Sequence, residues 1–339
     1  MRQYHLAAAM LLAAVLSGCG GGGAGSQAPK VKFTSQVSFG DSLSDVGSYA
    51  VSTITAYGGG GQYTINGTGK NWTELMAAQL GLPAPCAYKT GLNGSVFGAG
   101  VTIATHAGCT GYAQGGARIT NPIGPGNAAI PASAALGQLT EPITTQIGYH
   151  GTFTGSEIVF VMAGANDIFI EANTPATAGA NVVAAATSLV ASIDDLTTNK
   201  GAKYVVVVNV PDIANTPMAI ALGAASQGFF DQLVNAYNST LKAGLANNPH
   251  VLLVDAYTIN RDQINNPAAY GLTNVNTPAC NLAAPTNPIG SALMCNSSNV
   301  ITGVAVDHYL FADGVHPTPY GYLLLARLVS KEMLVKGWL

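Results

Sequence analysis

The sequence predicts an α/β protein built on a mostly parallel sheet, and three observations carry that reading. Glu157 to Ala163 and Lys203 to Val210 are near-continuous apolar runs, as in strands buried on both faces. Stretches with helical spacing, Pro175 to Thr198 and Ser226 to Ala246, follow them in turn. This alternation is that of strand–helix–strand units, and neither an internal repeat nor a linker divides residues 33–339, which read as one domain.

Composition sets the outer bounds. Of 339 residues 48% are hydrophobic and 9% charged, which allows a large core. The formal net charge is −3 with no basic cluster, which argues against nucleic acid as a partner.

The first strand is Val37 to Phe39, ended by Gly40, and Asp41-Ser42 open a turn. A serine just past a strand end is well placed for nucleophilic attack, because ligand sites in such sheets lie outside the carboxyl ends of strands. Ser42 also suits a plain helix N-cap. Tyr57 to Gly69 reads as an irregular surface loop. Asn71 to Leu80 is a helix with Trp72, Leu75, Met76, Gln79 and Leu80 on one face, stopped by Gly81 and Pro83. Pro83 to Thr110 has little periodicity. The glycine pair in Gly111-Tyr112-Ala113-Gln114-Gly115-Gly116-Ala117-Arg118 suits a tight turn or a close approach of backbone to a ligand.

Asn121 to Leu136 reads as loop, and Gln138 to Tyr149 as a helix with Pro142 in its first turn. The strand Glu157 to Ala163 runs into Gly164-Ala165-Asn166-Asp167, where Asn166 is either a turn former or an amide donor. The Pro175 to Thr198 helix has Thr174 as N-cap, Pro175 first, and Val182, Val183, Leu189, Val190, Ile193 and Leu196 inward. Val251 to Val254 is a further strand. The long Asn/Pro-rich stretch Tyr257 to Ala312 breaks the pattern, and such stretches are usually functional. Pro317 to Lys336 is the final helix.

The N-terminus is a targeting segment. Arg2 is a positive n-region and Leu6 to Leu16 an apolar stretch too short to span a bilayer. Leu16-Ser17-Gly18-Cys19 resembles a bacterial lipobox, which implies a signal peptide over 1–18, lipidation at Cys19 and a Gly-rich tether over 19–32; ordinary cleavage nearby, giving a secreted protein, is the alternative. Gly20 after the cysteine, by resemblance to bacterial sorting signals, favours the outer membrane. Without Cys19 an even set remains, Cys86, Cys109, Cys280 and Cys295, which an exported chain can oxidise. Three connectivities are possible. The sequence-local one, Cys86 with Cys109 and Cys280 with Cys295, is expected. No CxxC spacing supports a zinc site instead.

Four blocks stand in order: Phe39-Gly40-Asp41-Ser42-Leu43-Ser44-Asp45, Tyr112-Ala113-Gln114-Gly115-Gly116-Ala117, Gly164-Ala165-Asn166-Asp167 and Asp313-Gly314-Val315-His316-Pro317. Together they resemble the GDSL branch of the SGNH hydrolases. The resemblance implies a three-layer α/β/α sandwich with a five-stranded parallel sheet of flavodoxin-like order and no cofactor. It implies a triad in which Ser42 is the nucleophile, His316 the base and Asp313 its orienting acid, three residues earlier. The implied oxyanion hole uses the N–H of Ser42, the N–H of Gly116 (with Gly115 the rival) and the amide of Asn166. Gly111 stands where the family pattern usually has asparagine.

The wording FGDSLSDxG resembles bacterial lipase/esterase, phospholipase A and acyltransferase-like members, so fatty acyl esters or phospholipids lead as substrates. A glycerophospholipid acyltransferase, a short-chain or carbohydrate acetylesterase and a catalytically silent envelope lipoprotein are the other readings. The usual GxSxG elbow is absent around Ser42. Asp45 reads as a cap of the first helix and Asp167 as support for the Asn166 turn. His106, His150 and His308 read as surface polar groups, His308 being nearest the triad in sequence. Tyr49, Tyr57 and Tyr63 suit either an acyl pocket or the surface. Tyr257 to Ala312, with two of the cysteines, suggests a disulfide-pinned flap over the acyl site.

Overall fold

The computed structural model describes residues 30–91, 102–126, 140–303 and 305–339. Cys19, the signal peptide, residues 19–29 of the tether and part of the 121–136 loop lie outside the described residues.

The strands are β1 (Gln36–Gly40), β2 (Lys89–Thr90), β3 (Ala104–Thr105), β4 (Ile158–Met162), β5 (Tyr204–Val208) and β6 (Val251–Val254). The helices are α1 (Ser52–Thr55), α2 (Trp72–Gln79), α3 (Ile143–Tyr149), α4 (Ala165–Glu171), α5 (Pro175–Thr198), α6 (Pro217–Leu222), α7 (Ala224–Leu245), α8 (Ala256–Asn265) and α9 (Pro319–Lys336). β1, β4, β5 and β6 form one parallel sheet in the order β1-β4-β5-β6, and β2 and β3 a small hairpin.

The sheet therefore has four strands where five were expected. The fifth position, along the outer edge of β1, is taken by Thr110 to Gln114. Ser38 N–H donates to Thr110 C=O (3.0 Å), and the N–H groups of Tyr112 and Gln114 donate to Ser38 and Gly40 (2.8 and 3.1 Å). The pairing is parallel but only one bridge, Ser38 with Gly111, is regular. Gly111 is gripped on both sides, since it also pairs with Ala87. A β-carbon there would stand 2.8 Å from both the Cys86 carbonyl and Val46 Cγ2. That crowding explains glycine in place of the asparagine usual in the resembled pattern.

The strands are buried on both faces, as their apolar runs require. Val159, Val161, Val205 and Val207 join one core with α5 and α7, including Leu189, Ile193, Val234 and Tyr237. Ile158, Phe160, Met162, Val206 and Val208 join the other with Trp72, Met76, Tyr322, Val329 and Met333. Each such side chain taken from water contributes about 1.5–3 kcal/mol.

Several expectations shift at the level of elements. In α2 the buried face is Trp72, Thr73, Met76 and Ala77, and its start is fixed by a capping box between Asn71 and Glu74; Gln79 points outward. α3 is shorter than expected, with Pro142 outside it as N-cap. In α5 Val183 is exposed, while Ala178 and Ala186 fill the core face. Small side chains suit that face because α7 comes close: a β-carbon at Gly244 would meet Val190 at 2.6 Å. Thr174 stands at the α5 N-cap position but makes no side-chain cap bond. The first residues of the Tyr257 to Ala312 stretch belong to α8, capped by the Asp255 side chain on Thr258 N–H.

Candidate active site

The site lies at the carboxyl ends of β1 and β4. Past Gly40 the chain turns on itself: Asp41 Oδ1 accepts from Leu43 N–H (3.0 Å) and its carbonyl from Ser44 N–H (3.1 Å). Ser42 sits at the apex of that turn. Its Oγ is 2.9 Å from His316 Nε2.

His316 is held by the Asp313 carboxylate, whose Oδ2 lies 2.8 Å from Nδ1. Asp313 Oδ1 also accepts from the N–H groups of Val315 and His316 (3.0 and 2.8 Å), and Oδ2 from Ala292 N–H (2.7 Å). Burial pushes this carboxyl up, but the imidazole and the surrounding N–H donors outweigh it and hold it at about 2. The hydroxyl, imidazole and carboxylate thus stand in one line.

Asp45 does not cap a helix, a correction to the expectation. Its Oδ1 accepts from Gly47 and Ser48 N–H (2.9 and 2.7 Å) and its Oδ2 from Gly115 N–H (2.8 Å); the N-cap of α1 is Val51, which makes no side-chain cap bond. The geometry separates the two glycines of the second block. Gly115 N–H is already bound to Asp45, whereas among the described residues nothing accepts from Gly116 N–H or from Ser42 N–H. Gly116 adopts φ +83°, a left-handed turn that redirects its N–H.

Asn166 lies in the first turn of α4, where its amide donates one hydrogen to Ala117 C=O (2.9 Å). The other hydrogen is unpaired among the described residues. Asp167 ties that turn to the second block, accepting from Arg118 Nε (3.2 Å) and Ile119 N–H (3.0 Å).

Of the Tyr257 to Ala312 stretch, Ile259, Asn260, Gln263, Leu310 and Phe311 line the cavity, whereas no residue of the disulfide-closed segment from Cys280 to Cys295 does. The disulfides are Cys86–Cys109 and Cys280–Cys295, the sequence-local pairing. The second closes a loop that lies behind Asp313, delivering Ala292 N–H to it. Asn66 anchors this loop: its amide donates to the carbonyls of Ala292, Leu293 and Cys295 (3.0, 3.3 and 3.0 Å). Tyr57 to Gly69 is accordingly only partly surface, with Thr64 and Asn66 buried. Neither Asn66 nor Ala292 carries a sequence signal, since one acts through a lone amide and the other through its backbone.

The remaining candidates separate. Tyr49 is buried and Tyr57 exposed. Tyr63 stacks on His316, ring centroids 4.6 Å apart. His308 contacts Gly271 C=O and Tyr320, away from the triad. His106 pairs with Thr90, and His150 with Tyr112. A cavity of about 700 Å³ opens at Ser42, His316 and Asn166 and runs along Phe169, Met218 and Phe229.

A hydroxyl, an imidazole and a carboxylate aligned at the strand ends of an α/β sandwich form an arrangement suited to serine-type ester hydrolysis. Residues 37–329 match the GDSL-like Lipase/Acylhydrolase model, and the chain belongs to that family. It is 33% identical over 113 residues to the anther-specific proline-rich protein APG of Arabidopsis thaliana; the match covers 33% of this chain and 20% of that protein, so the chain spans about a fifth of it. Among solved structures it is similar to the lipase Lip_vut3 from a goat rumen metagenome, at 13% identity and TM-score 0.41, over 90% of this chain and 97% of that one. It is also similar to a catalytic mutant of Axe2, an acetylxylan esterase from Geobacillus stearothermophilus, at 15% identity and TM-score 0.42, over 90% and 96% of the chains.

Proposed function

We propose that the protein hydrolyses fatty acyl esters, phospholipids included, through a Ser42 acyl-enzyme. The observation that carries this is the 2.9 Å contact between Ser42 Oγ and His316 Nε2 at the wall of an apolar cavity. A hydroxyl attacks only when a base takes its proton. His316 takes it as Ser42 Oγ bonds to the ester carbon. Asp313, ionised because its carboxyl is held at about 2, fixes the Nδ1–H tautomer and balances the imidazolium.

The developing oxyanion is met by the N–H groups of Ser42 and Gly116 and the second amide hydrogen of Asn166. The bond between Gly115 and Asp45 supports Gly116 over Gly115. His316 then protonates the departing alcohol, and water, activated by the same imidazole, releases the acid.

The cavity supports a long acyl chain over acetyl. Phe169, Ile213, Met218, Leu222, Phe229 and Phe230 line it, and about 700 Å³ lies in the range of sites that enclose a sizeable ligand. The test is kcat/KM over p-nitrophenyl esters from acetyl to palmitoyl, with a diacyl phospholipid beside them and Ser42→Ala as control. Rising values with chain length and a dead Ser42→Ala are expected. A maximum at acetyl overturns the acyl preference, and an active Ser42→Ala overturns the nucleophile.

The same reading includes export. Arg2, the apolar stretch Leu6 to Leu16 and Cys19 support an outer-membrane lipoprotein, with residues 1–18 removed and the domain of 33–339 tethered by 19–32. Metabolic labelling with radioactive palmitate tests this: label in the wild type and none in Cys19→Ala is expected, and an unlabelled wild type overturns it.

A further inference from the structure

We infer that the Tyr63 hydroxyl binds the alcohol-side oxygen of the ester, and equally the oxygen of an incoming acceptor alcohol. This rests on the roles of Ser42 and His316 proposed above.

Tyr63 is fixed in place from several directions. Its carbonyl accepts from Tyr322 Oη (3.2 Å), and its neighbour Thr64 donates to Pro317 C=O (3.1 Å), beside His316. Its ring meets Tyr49 edge-on at 6.0 Å and covers the His316 imidazole at 4.6 Å with a 35° tilt. The hydroxyl end lies against Gly115: a β-carbon there would stand 2.4 Å from Tyr63 Oη. Glycine is thus required at 115 by the phenol. The ring lies over the imidazole with its hydroxyl end against Gly115, and Tyr63 lines the cavity.

Among the described residues no group hydrogen-bonds to this hydroxyl. A phenol held rigidly over the site with an unfilled donor is a binding group for substrate. Burial holds it well above the ordinary tyrosine value, so it stays protonated and acts as a donor.

The position favours the alcohol side. The oxyanion faces Ser42 N–H, Gly116 N–H and Asn166, whereas Tyr63 covers the imidazole, which delivers the proton to the leaving oxygen. As the tetrahedral adduct collapses, the C–O bond to the alcohol breaks and its electron pair moves to that oxygen. The proton on His316 Nε2 goes to the same oxygen. Tyr63 keeps its own proton and donates a hydrogen bond while charge builds there. In the reverse direction the same contact holds an acceptor alcohol as His316 deprotonates it, so Tyr63 sets how acyl groups divide between water and alcohols.

The experiment compares wild type, Tyr63→Phe and Ser42→Ala on two esters of one acyl chain, p-nitrophenyl and ethyl. p-Nitrophenolate leaves without a donor, and ethoxide does not. Tyr63→Phe, which keeps the ring and its stacking, should lose at least tenfold in kcat/KM on the ethyl ester and less than threefold on the p-nitrophenyl ester. Its ratio of alcoholysis to hydrolysis with added alcohol should fall. Equal losses on both esters, or no loss on either, overturn the assignment while leaving the nucleophile intact. Turnover by Ser42→Ala, or none by the wild type, instead overturns the underlying reading and this role with it.

Discussion

Asp45 Oδ2 accepts a hydrogen bond from Gly115 N–H at 2.8 Å, joining residues 70 apart in the chain. The bond ties the turn that carries Ser42 to the turn that carries Gly116. It also occupies Gly115 N–H, whereas among the described residues nothing accepts from Gly116 N–H. One buried carboxylate therefore fixes the spacing of the two turns and, in the oxyanion hole proposed above, favours Gly116 over Gly115 as a donor.

Asp45→Asn tests this coupling. An amide keeps one oxygen for Gly47 and Ser48 but turns an NH2 toward Gly115 N–H, donor against donor. A buried donor without an acceptor costs about 1–3 kcal/mol. The variant should lose several degrees in Tm and fall toward the roughly 100-fold loss in kcat seen when one oxyanion donor is removed. An unchanged kcat would separate Asp45 from the site.

Asp313 carries a pH-dependent share of stability. Its folded carboxyl sits at about 2, below the ordinary 3.8. A depressed carboxyl adds stability above about pH 4 and loses it as pH falls through 2, and this shift corresponds to about 2 kcal/mol. Asp313→Asn should therefore destabilise most near pH 7, the gap to wild type narrowing as pH approaches 2. Thermal melts at pH 2.5, 4 and 7 read it directly. Turnover should fall by about 10⁴, because an amide favours the wrong imidazole tautomer.

Asp41 has the opposite sign. Burial raises its carboxyl to about 7, although Leu43 N–H and His316 both pull it down. A group raised on folding contributes fully below its unfolded value near 4, and that contribution is lost as pH rises through 7. Asp41→Asn keeps the oxygen that accepts from Leu43 and removes the buried charge. Relative to wild type its Tm should gain steadily from pH 4 to pH 8. A Tm difference that stays flat across that range would be incompatible with a carboxyl titrating near 7.

Much of the fold was legible because its signals are local. Ile158–Met162 and Tyr204–Val208 are buried on both faces, and no polar residue interrupts them. Pro175–Thr198 is marked by its proline start and apolar stripe. The site blocks were legible for a similar reason: Asp313 and His316 lie three residues apart on one loop. What was not legible acts across the chain. Thr110 to Gln114 pairs with β1 through backbone bonds and one from the Thr110 hydroxyl to Gln36 C=O (2.6 Å), and its glycine and turn residues carry no strand pattern. Asp45 looks like any helix-capping aspartate until Gly115 is beside it. Ala292 contributes only an N–H, which every residue but proline has.

If Asp313 orients His316 as proposed, the Cys280–Cys295 disulfide should support turnover through it. Both cysteines are buried, and the loop between them presents Ala292 N–H to the Asp313 carboxylate at 2.7 Å. Cys280 N–H in turn donates to Ala312 C=O at 2.9 Å, directly before Asp313. Opening the disulfide frees both contacts to drift, so the carboxylate loses one of its donors and the imidazole its fixed support. Cys86–Cys109 braces the edge of β1 instead. Each bridge closes a short loop and contributes about 3 kcal/mol by loop entropy, so stability alone does not distinguish them. Activity does. Cys280→Ser/Cys295→Ser should lower kcat at least tenfold at a temperature well below its Tm, with KM for a short ester little changed. Cys86→Ser/Cys109→Ser should lose comparable Tm and keep most of its kcat. Equal kcat losses in the two pairs would mean that the disulfide loop acts on stability only and that Ala292 does not position Asp313.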